Sequence, residues 1–345
     1  MRHSFVTGLA ALALTALGGC ASTPPPNWPV SSPAELCNDS TLGPEDFCMP
    51  SARIERWLKA GHFMVNDAGE IDEGVTAPYK LRLEVPGGRF ISAKFKRAPD
   101  ELDAFNNSPR RELAAYETQK FFLDPKDYVV PPTALVCLPV AKVKGLMPEL
   151  KPHGKSGCAI GVMAYWVEGL TDEDLIDDEL WGESRAYRRS IGNLNALTVL
   201  IGHQDDLGMN FLRSSDPKRP RLLAVDNGLA FGAMGINPVQ WFSSGWSDIR
   251  VTELPRRTVA RLKRIDQAML EKLEVVGQLE WRRGTLVPVP LTPAIDNSRG
   301  VRSRGPVIQL GLTAKEITDV HERLAELLGE VESGEVVEGV ATVTH

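Results

Sequence analysis

Residues Ile201–Phe231 read IGHQDDLGMNFLRSSDPKRPRLLAVDNGLAF. A polar turn that contains Asp205 and Asp206 is followed, five positions after Asp205, by Asn210. A basic connection then leads into a short apolar run, which ends on Asp226 and the sequence Asn-Gly. Carboxylate and amide oxygens are the ligands that hard divalent cations prefer, so this stretch has the potential to bind a metal ion.

The length and composition of the chain are those of a soluble globular protein with room for two lobes. It has 345 residues, of which 43% are hydrophobic and 24% are charged, and these fractions are ordinary for a folded domain. The formal net charge of −6 argues against a general nucleic-acid-binding protein. No nucleic-acid partner is therefore expected.

The amino terminus has the pattern of an export signal. Arg2 and His3 precede an apolar run from Phe5 to Leu17, which is shorter than the ~20 residues that a membrane span needs. The run ends in Leu-Gly-Gly-Cys20, which resembles the processing box of bacterial lipoproteins. That resemblance implies a signal peptide at residues 1–19 and lipidation of Cys20. An unprocessed signal anchor or a chance cysteine is the alternative.

A lipidated Cys20 would attach the protein to a membrane of the bacterial cell envelope, and we expect the periplasmic face of the outer membrane. Residues 20–50 begin with a segment rich in proline and serine, a composition typical of an extended tether. No second apolar stretch is long enough to span a bilayer.

Four further cysteines remain, namely Cys37, Cys48, Cys137 and Cys158. An even number of cysteines in an exported chain predicts disulfide bonds. Of the three possible pairings we favour Cys37–Cys48 with Cys137–Cys158, because each of these pairs is local and flanks an expected turn. Four free buried thiols are the alternative.

Local patterns predict most elements of the first half of the chain. Residues Ser51–Ala60 have helical spacing and an amino-terminal serine cap. Apolar residues alternate from Tyr79 to Arg97 on either side of Pro-Gly-Gly, which predicts a β-hairpin. This glycine turn could lie over a phosphate, but an ordinary turn is the simpler interpretation. Ser108 and Pro109 indicate the start of a helix with Glu112 in its first turn.

The second half is expected to be mainly helical. Two strands, Ala134–Val143 and Cys158–Val167, precede it. The further expectations are an acidic solvated face at 172–181, a buried helix at 184–201, a basic amphipathic helix at 258–276, a Pro-rich surface segment at 284–306, a helix opened by a capping box of Thr313 and Glu316, and a frayed acidic tail at 329–345. The basic cluster from Arg256 to Arg264 could contact anionic lipid or an acidic partner, although a solvated face is the simpler interpretation.

The order of these motifs resembles the protein-kinase-like superfamily, and in detail its atypical branch. The order is a hairpin with Phe-Lys96, a helix with Glu112-Leu-Ala-Ala, Val-Pro-Pro, two strands, a helix that leads into HQDDLGMN, and AVDNGLAF. Type II phosphatidylinositol 4-kinases carry a similar Asp-x-x-x-x-Asn turn and Ile-Asp-Asn-Gly-Leu-Ala-Phe run. Secretory-pathway casein kinases carry a similar Phe-Lys-Pro strand and a Glu-Ile-Ala-Ala helix before Val-Pro-Pro. The resemblance covers roughly Tyr79 to Phe231.

The resemblance implies a role for each matching residue. Lys96 would hold the phosphates of ATP with Glu112 fixing its position, and Lys94 on the same strand face is the alternative for that task. Asp205 would accept or orient the proton of the attacking hydroxyl. Asn210 and Asp226 would bind Mg²⁺ or Mn²⁺.

Two neighbouring residues have open roles. His203 is expected to support the loop, since a lone histidine near a site is usually structural. Asp206 is either a further metal ligand or an exposed neighbour of Asp205.

The sequence also departs from ordinary protein kinases. It has no G-x-G-x-x-G loop, it has Leu207 where a lysine usually contacts the transferred phosphate, and no Ala-Pro-Glu follows Gly228. The atypical branch shares these departures. An exported protein also meets little ATP, so an inactive kinase-like protein that binds only a nucleotide or a partner is the alternative.

The resulting expectation is an α+β, bilobal, protein-kinase-like fold. The small β-rich N-lobe would span residues 51–167 and the mainly helical C-lobe residues 168–328. The expected activity is phosphoryl transfer from ATP with Mg²⁺ or Mn²⁺ to an unknown protein or lipid acceptor, with a protein hydroxyl favoured. Nucleotidyl transfer by the same residues stays open.

Overall fold

Five antiparallel strands form the main sheet. The computed structural model describes residues 36–38, 47–71, 77–104, 108–172, 175, 177–204, 210–214, 220–232 and 252–339. The strands stand in the order β3-β4-β5-β7-β6. They are β3 (Met64–Glu70), β4 (Tyr79–Val85), β5 (Arg89–Arg97), β6 (Thr133–Pro139) and β7 (Cys158–Tyr165).

The predicted hairpin is confirmed as β4 and β5, with Gly87 and Gly88 in the turn between them. Because side chains alternate along a strand, one face of β5 buries Ala93 and Phe95 in an apolar core. The opposite face carries Lys94 and Lys96. The period-two pattern therefore decides which side chains of β5 can reach a site on the other face of the sheet.

Eight α-helices lie within the described residues. They are α1 (Ser51–Ala60), α2 (Pro109–Gln119), α3 (Val140–Val143), α4 (Asp178–Glu183), α5 (Arg185–Ile201), α6 (Arg256–Leu262), α7 (Gln267–Leu270) and α8 (Ala314–Ser333). Two 3-10 turns span Pro125–Asp127 and Glu271–Glu274. None of these helices is long and apolar enough to cross a bilayer.

Three helix predictions are confirmed and three details are corrected. The buried helix appears as α5, Pro109 is the first residue of α2, and Thr313 with Glu316 forms the capping box of α8. Ser51 is not a cap, because the cap residue is Pro50. Ser108 is the N-cap residue of α2 as expected, but its side chain makes no capping hydrogen bond, and its hydroxyl donates to the Leu102 carbonyl at 2.9 Å instead.

The third correction concerns residues 258–276, where a single basic helix was expected. The segment divides into the last turns of α6, then α7, then a 3-10 turn. The Asp266 carboxylate accepts from the Met269 N–H at 2.8 Å. This cap starts a new helical turn, so the chain changes direction where the apolar spacing alone suggested continuity.

A four-stranded antiparallel sheet occupies the region where a Pro-rich surface segment was expected. Its order is β13-β12-β15-β14, with strands β12 (Gly277–Arg282), β13 (Thr285–Pro288), β14 (Val301–Arg304) and β15 (Val307–Leu310). The buried Gln309 donates to the side chain of Gln278 at 2.8 Å, and each glutamine also binds backbone groups of the Pro-rich loop. These buried amides order the loop between β13 and β14, most of whose residues are exposed as the composition suggested. β12 and β13 pack against β6.

The remaining strands form small sheets, and one of them corrects the expected frayed tail. The strands are β1 (Leu36–Asn38), β2 (Phe47–Met49), β8 (Leu170–Thr171), β9 (Phe211–Ser214), β10 (Leu222–Ala224), β11 (Glu253–Pro255) and β16 (Val337–Gly339). β16 pairs in parallel with β11, and α8 continues to Ser333. The part of the tail up to Gly339 is therefore ordered by pairing with a distant strand.

The Cys137–Cys158 disulfide is confirmed, and it connects β6 to β7 with a Cα–Cα distance of 5.3 Å. Cys37 lies directly opposite Cys48 in the β1–β2 pair, but the side chains of these two cysteines lie outside the described residues. Cys20 lies outside them as well.

Removing the Cys137–Cys158 disulfide should destabilise the protein. The bond closes a sequence separation of 21 residues, for which the chain-entropy model gives about 3 kcal/mol. We expect the double variant Cys137→Ser/Cys158→Ser to lose roughly that free energy of unfolding in a urea titration. Wild type in reductant serves as the comparison, and a double variant as stable as oxidised wild type would contradict the prediction.

Candidate functional site

Three charged side chains from three separate elements meet at the face of the main sheet that carries Lys94 and Lys96, and Lys96 and Glu112 are buried there. The Lys96 ammonium on β5 donates to Glu112 of α2 at 3.1 Å. It also donates to both carboxylate oxygens of Asp226, at 2.7 and 2.9 Å. The side chain of Lys96 is 5% exposed, so the ammonium depends on these two carboxylates for its solvation. The Lys96–Glu112–Asp226 cluster is the centre of the site.

The position of Lys94 separates the two candidate lysines. Its ammonium lies 3.5 Å from the Asp226 carboxylate, and no contact between Lys94 and Glu112 is seen. Lys96 contacts both acidic groups, because it stands one strand step closer to α2. The geometry thus assigns the pairing with Glu112 to Lys96 and leaves Lys94 as a second cation beside Asp226.

Glu112 connects α2 to the Asp-Asn-Gly turn as well as to β5. One of its carboxylate oxygens accepts from Lys96, and the other accepts from the Asn227 backbone N–H at 3.0 Å. In the sequence, Glu112 has the further role of an acidic residue in the first turn of a helix, where it complements the helix dipole. The structure adds two directed contacts that this local pattern does not reveal.

The β9–β10 hairpin brings Asn210 next to the turn that carries Asp226. Phe211 pairs with Ala224, and the Val225 N–H donates to the Asn210 carbonyl at 2.9 Å. Asn210, which precedes Asp226 by 16 positions in the sequence, thereby lies across the hairpin from Val225, the neighbour of Asp226. Both predicted metal ligands therefore lie at the same end of the hairpin.

His203 contacts the backbone of the turn that carries Asp226. Its ring nitrogen Nε2 lies 2.9 Å from the Asp226 carbonyl, and the ring packs on Phe211 with centroids 4.8 Å apart. Gly202 ends α5 in the left-handed region at φ 53°, which turns the chain into His203. The contact fixes the backbone of Asp226 and leaves its carboxylate pointing at Lys96. Asp205 and Asp206 lie outside the described residues.

Burial and pairing set the protonation of the cluster. Burial alone would raise the pKa of Asp226, but Lys96 and Lys94 outweigh it and hold that pKa well below its usual range. Burial raises the pKa of Glu112, with Lys96 opposing the rise. For Lys96, burial would lower the pKa, and the charges of Asp226 and Glu112 raise it above the ordinary value. Asp226 is therefore the more firmly ionised carboxylate.

The donor set fits a nucleotide with a divalent cation. The Asp226 carboxylate and the Asn210 amide supply oxygens, and Mg²⁺ is commonly held by one or two protein ligands together with substrate phosphates. Within the described ranges, no group of three or more His, Cys, Asp or Glu is placed to hold a metal ion. Gly228 leaves a cradle here, since a Cβ would lie 3.4 Å from both the Lys96 ammonium and the Asp226 carboxylate.

The Gly87-Gly88 turn does not cover this site. It joins β4 and β5 at the end opposite Lys96, and seven residues of β5 separate Gly88 from Lys96, or about 25 Å of extended chain. The idea that this turn lies over a phosphate is therefore wrong. The connection between β3 and β4 leaves the sheet at the correct end, because Tyr79 pairs with Phe95. Residues 72–76 of that connection lie outside the described part of the chain.

Lys80 is a further lysine on the sheet face that carries Lys94 and Lys96. It stands directly opposite Lys94 in the β4–β5 register. Its ammonium lies 2.8 Å from Glu168 and 4.4 Å from the centre of the Trp166 ring. The alternation of β4 places Lys80 on the same face as Lys94, so the sequence pattern alone could have indicated this position. Its partners come after β7, which no local pattern could indicate.

Replacing Lys96 should make stability depend on pH through Glu112. A carboxyl whose folded pKa exceeds its unfolded value binds more protons when folded, so the free energy of unfolding falls as pH rises. Lys96→Met removes the charge that opposes the raised pKa of Glu112. We expect the variant to lose roughly 3–5 kcal/mol near neutral pH and to regain part of it as the pH falls toward the ordinary value of 4.5.

The measurement is chemical denaturation of Lys96→Met and of a control variant between neutral pH and about pH 4.5. The control is Lys96→Met/Glu112→Gln, which keeps the loss of Lys96 but has no carboxyl at position 112. Its stability should vary less with pH than that of the single variant. Identical pH profiles for the single and double variants would show that Glu112 is not responsible.

Comparison with known proteins supports the fold. No family model and no curated protein matches the sequence. Among solved structures, hydra Fam20, determined with sugar, matches at a TM-score of 0.51 and 14% identity over 82% of this chain and 89% of that one. The Golgi casein kinase matches at a TM-score of 0.47 and 13% identity over 85% of this chain and 76% of that one. Its structure with Mn/ADP bound matches at a TM-score of 0.48 and 12% identity over 82% of this chain and 76% of that one.

The identity of 14% to hydra Fam20 is too low to transfer an activity, so the likeness concerns the fold alone. The two casein-kinase likenesses have lower TM-scores and add nothing to it. The order of strands and helices around Lys96, Glu112 and Asp226 agrees with the fold class that the sequence predicted. The chain has a mixed α+β fold that is similar to that of hydra Fam20.

Proposed function

We propose that the protein is a kinase-like phosphotransferase that uses ATP with Mg²⁺ or Mn²⁺ to phosphorylate a hydroxyl group, with a protein side chain as the acceptor. The observation that carries the proposal is the buried Lys96–Glu112–Asp226 cluster. A lysine held between a helix glutamate and the aspartate of an Asp-x-Gly turn is the arrangement that positions phosphates in kinases.

Each residue of the cluster has a distinct task in this reaction. Lys96 binds the phosphates as a point charge, and Glu112 fixes its position from α2. Asp226 and Asn210 hold the divalent cation, which when bound neutralises negative charge that develops on the phosphates. Lys94, at 3.5 Å from Asp226, adds a second positive charge at the edge of the same site.

Asp205 completes the proposed chemistry. The acceptor oxygen attacks the terminal phosphorus of ATP, the bond from that phosphorus to the bridging oxygen breaks, and ADP leaves. The proton of the acceptor hydroxyl passes to the Asp205 carboxylate. His203 and Asn210 stand on either side of this residue in the sequence, and both are tied to the Asp226 turn by the contacts described above.

The direct contact between Lys96 and Asp226 favours a second candidate function. A cation at Asp226 has to displace hydrogen bonds of 2.7 and 2.9 Å from the Lys96 ammonium. If that displacement is unfavourable, the protein is a catalytically inactive kinase-like module that binds a nucleotide or a partner. The scarcity of ATP outside the cytoplasm fits this alternative.

Nucleotide binding tests both candidates. We expect ATP with Mn²⁺ or Mg²⁺ to raise the melting temperature of the full chain, and ATP without metal to raise it less. At a free nucleotide concentration 100 times the dissociation constant the stabilisation is about 2.7 kcal/mol. Lys96→Met should abolish the shift. An unchanged melting temperature at millimolar nucleotide would contradict both the phosphotransferase and the nucleotide-binding module.

Transfer of labelled phosphate from ATP then separates the two candidates. Asp205→Asn and Asp226→Asn should each lower transfer at least about a hundredfold, because one removes the proton acceptor and the other a metal ligand. Asp100→Asn is a matched control, since Asp100 is exposed and pairs with Arg97 alone among the contacts seen. The mass of the product tells a phosphate adduct from a nucleotide adduct. No transfer by wild type to protein or lipid extracts would favour the inactive module.

The membrane anchor is a separate proposal that rests on the sequence. Lipidation of Cys20 would hold the protein at the cell envelope, with the tether at residues 20–50 leading to the folded region. We expect Cys20→Ser to release the protein from the membrane fraction, while Cys137–Cys158 remains oxidised. Continued membrane association of the variant after a salt wash would show that Cys20 is not the anchor.

A further inference from the structure

A cavity lies away from the Lys96–Glu112–Asp226 cluster. It has a volume of about 240 Å³ and is enclosed by the segment that follows α2, the first half of α5, and the β11–α6 connection. The candidate site lies at the other end of α5, beyond Ile201. None of the cavity-lining residues belongs to the cluster, and Asn193, the lining residue of α5 nearest to that end, lies eight residues or about 12 Å of helix before Ile201. The two sites are therefore separate.

The charge of this cavity is strongly positive. Seven of the side chains that line it are lysine or arginine, whereas three are carboxylates, namely Asp124, Asp127 and Glu253. The surplus of four positive charges contrasts with the net charge of −6 for the whole chain. A local excess of this sign in an acidic protein concentrates anions at one place on its surface.

The carboxylates do not satisfy all of these cations. Asp124 pairs with Arg257 at 2.8 Å and with Arg261 at 2.6 Å. The side chain of Arg257 is 66% exposed, and ion pairs that are exposed to this degree contribute little to stability. Lys126 and Arg256 have no hydrogen-bond or ion-pair partner in the structure described for this chain. These two side chains are available to a ligand.

The wall of the cavity is held in place by other polar contacts. The Arg188 guanidinium donates to the Trp181 carbonyl at 2.6 Å and to the Gly182 carbonyl at 3.1 Å. Thr258 donates to the side chain of Asn193 at 2.6 Å, and both of these residues are buried. The cavity is thus a preorganised pocket, because the hydrogen bonds that shape it exist without a ligand.

We propose that this pocket binds a compact, multiply charged phosphate ligand, either a soluble phosphorylated molecule or the phosphorylated headgroup of a lipid. Its volume is below the roughly 300–1,000 Å³ of pockets for larger organic ligands. Arginine dominates the lining, and the planar guanidinium forms paired hydrogen bonds with phosphate oxygens. The surplus of four charges matches a ligand with several negative charges.

The test measures binding of tripolyphosphate to the full chain by calorimetry, in the absence of divalent metal. Lys126→Gln/Arg256→Gln should weaken binding at least tenfold, and neither residue has a protein partner whose loss would unfold the chain. Lys142→Gln/Arg264→Gln makes the same change of charge at two exposed positions outside the pocket, and should bind as wild type does.

Two further probes identify the class of ligand. Sedimentation with vesicles of phosphatidylcholine and phosphatidylinositol phosphate tests the lipid source, and binding that the pocket double variant loses would assign the headgroup. A polyglutamate peptide tests an acidic protein partner. Affinity for the peptide equal to that for tripolyphosphate would overturn the phosphate assignment. The proposal is also overturned if neither phosphate probe binds, or if Lys142→Gln/Arg264→Gln weakens binding as much as the pocket variant.

Discussion

The buried ammonium of Lys96 is the constraint on which the rest of this structure depends. A charge that is 5% exposed is tolerable only if its partners are held at hydrogen-bond distance, because removing either partner leaves an uncompensated ion in a region of low polarity. The two partners come from α2 and from the turn after β10. The sheet, the helix and the hairpin therefore have to be assembled together before the cluster is stable. This requirement brings together the three charged groups of the candidate site, although none of them is adjacent to another in sequence.

The position of Glu112 is secured by contacts far from the sheet. Two residues before it, the Arg110 guanidinium donates to both oxygens of Glu316 at 2.9 and 2.8 Å. The same glutamate accepts from the Thr313 backbone and closes the capping box of α8. At the other end of α2, the Gln119 side chain accepts from two backbone N–H groups of the segment that follows the helix. Through the contact between Arg110 and Glu316, α8 holds α2 in place and thereby positions Glu112.

Local patterns in the sequence predict those parts whose causes are local. The hairpin, α5 and the capping box follow from alternation, helical spacing and cap chemistry within a few residues. The choice of Lys96 over Lys94 could not be made in this way, because both lysines share a strand face and only the tertiary position of Glu112 separates them. The sheet β12–β15 was missed for a similar reason, since the buried pair of Gln278 and Gln309 organises a Pro-rich loop whose composition alone indicates exposure.

The charge balance of the described site explains why metal and nucleotide are expected together. Two ammonium groups, Lys94 and Lys96, face two carboxylates, Glu112 and Asp226, so the cluster is close to neutral when all four are ionised. A nucleotide triphosphate adds several negative charges that two already paired lysines cannot compensate. A divalent cation on Asp226 would supply the missing positive charge and would compete with Lys96 and Lys94 for that carboxylate. Lys96 would then be able to turn toward a phosphate while it keeps its contact with Glu112. Under the proposed function, nucleotide binding is therefore coupled to the opening of the ion pairs at Asp226.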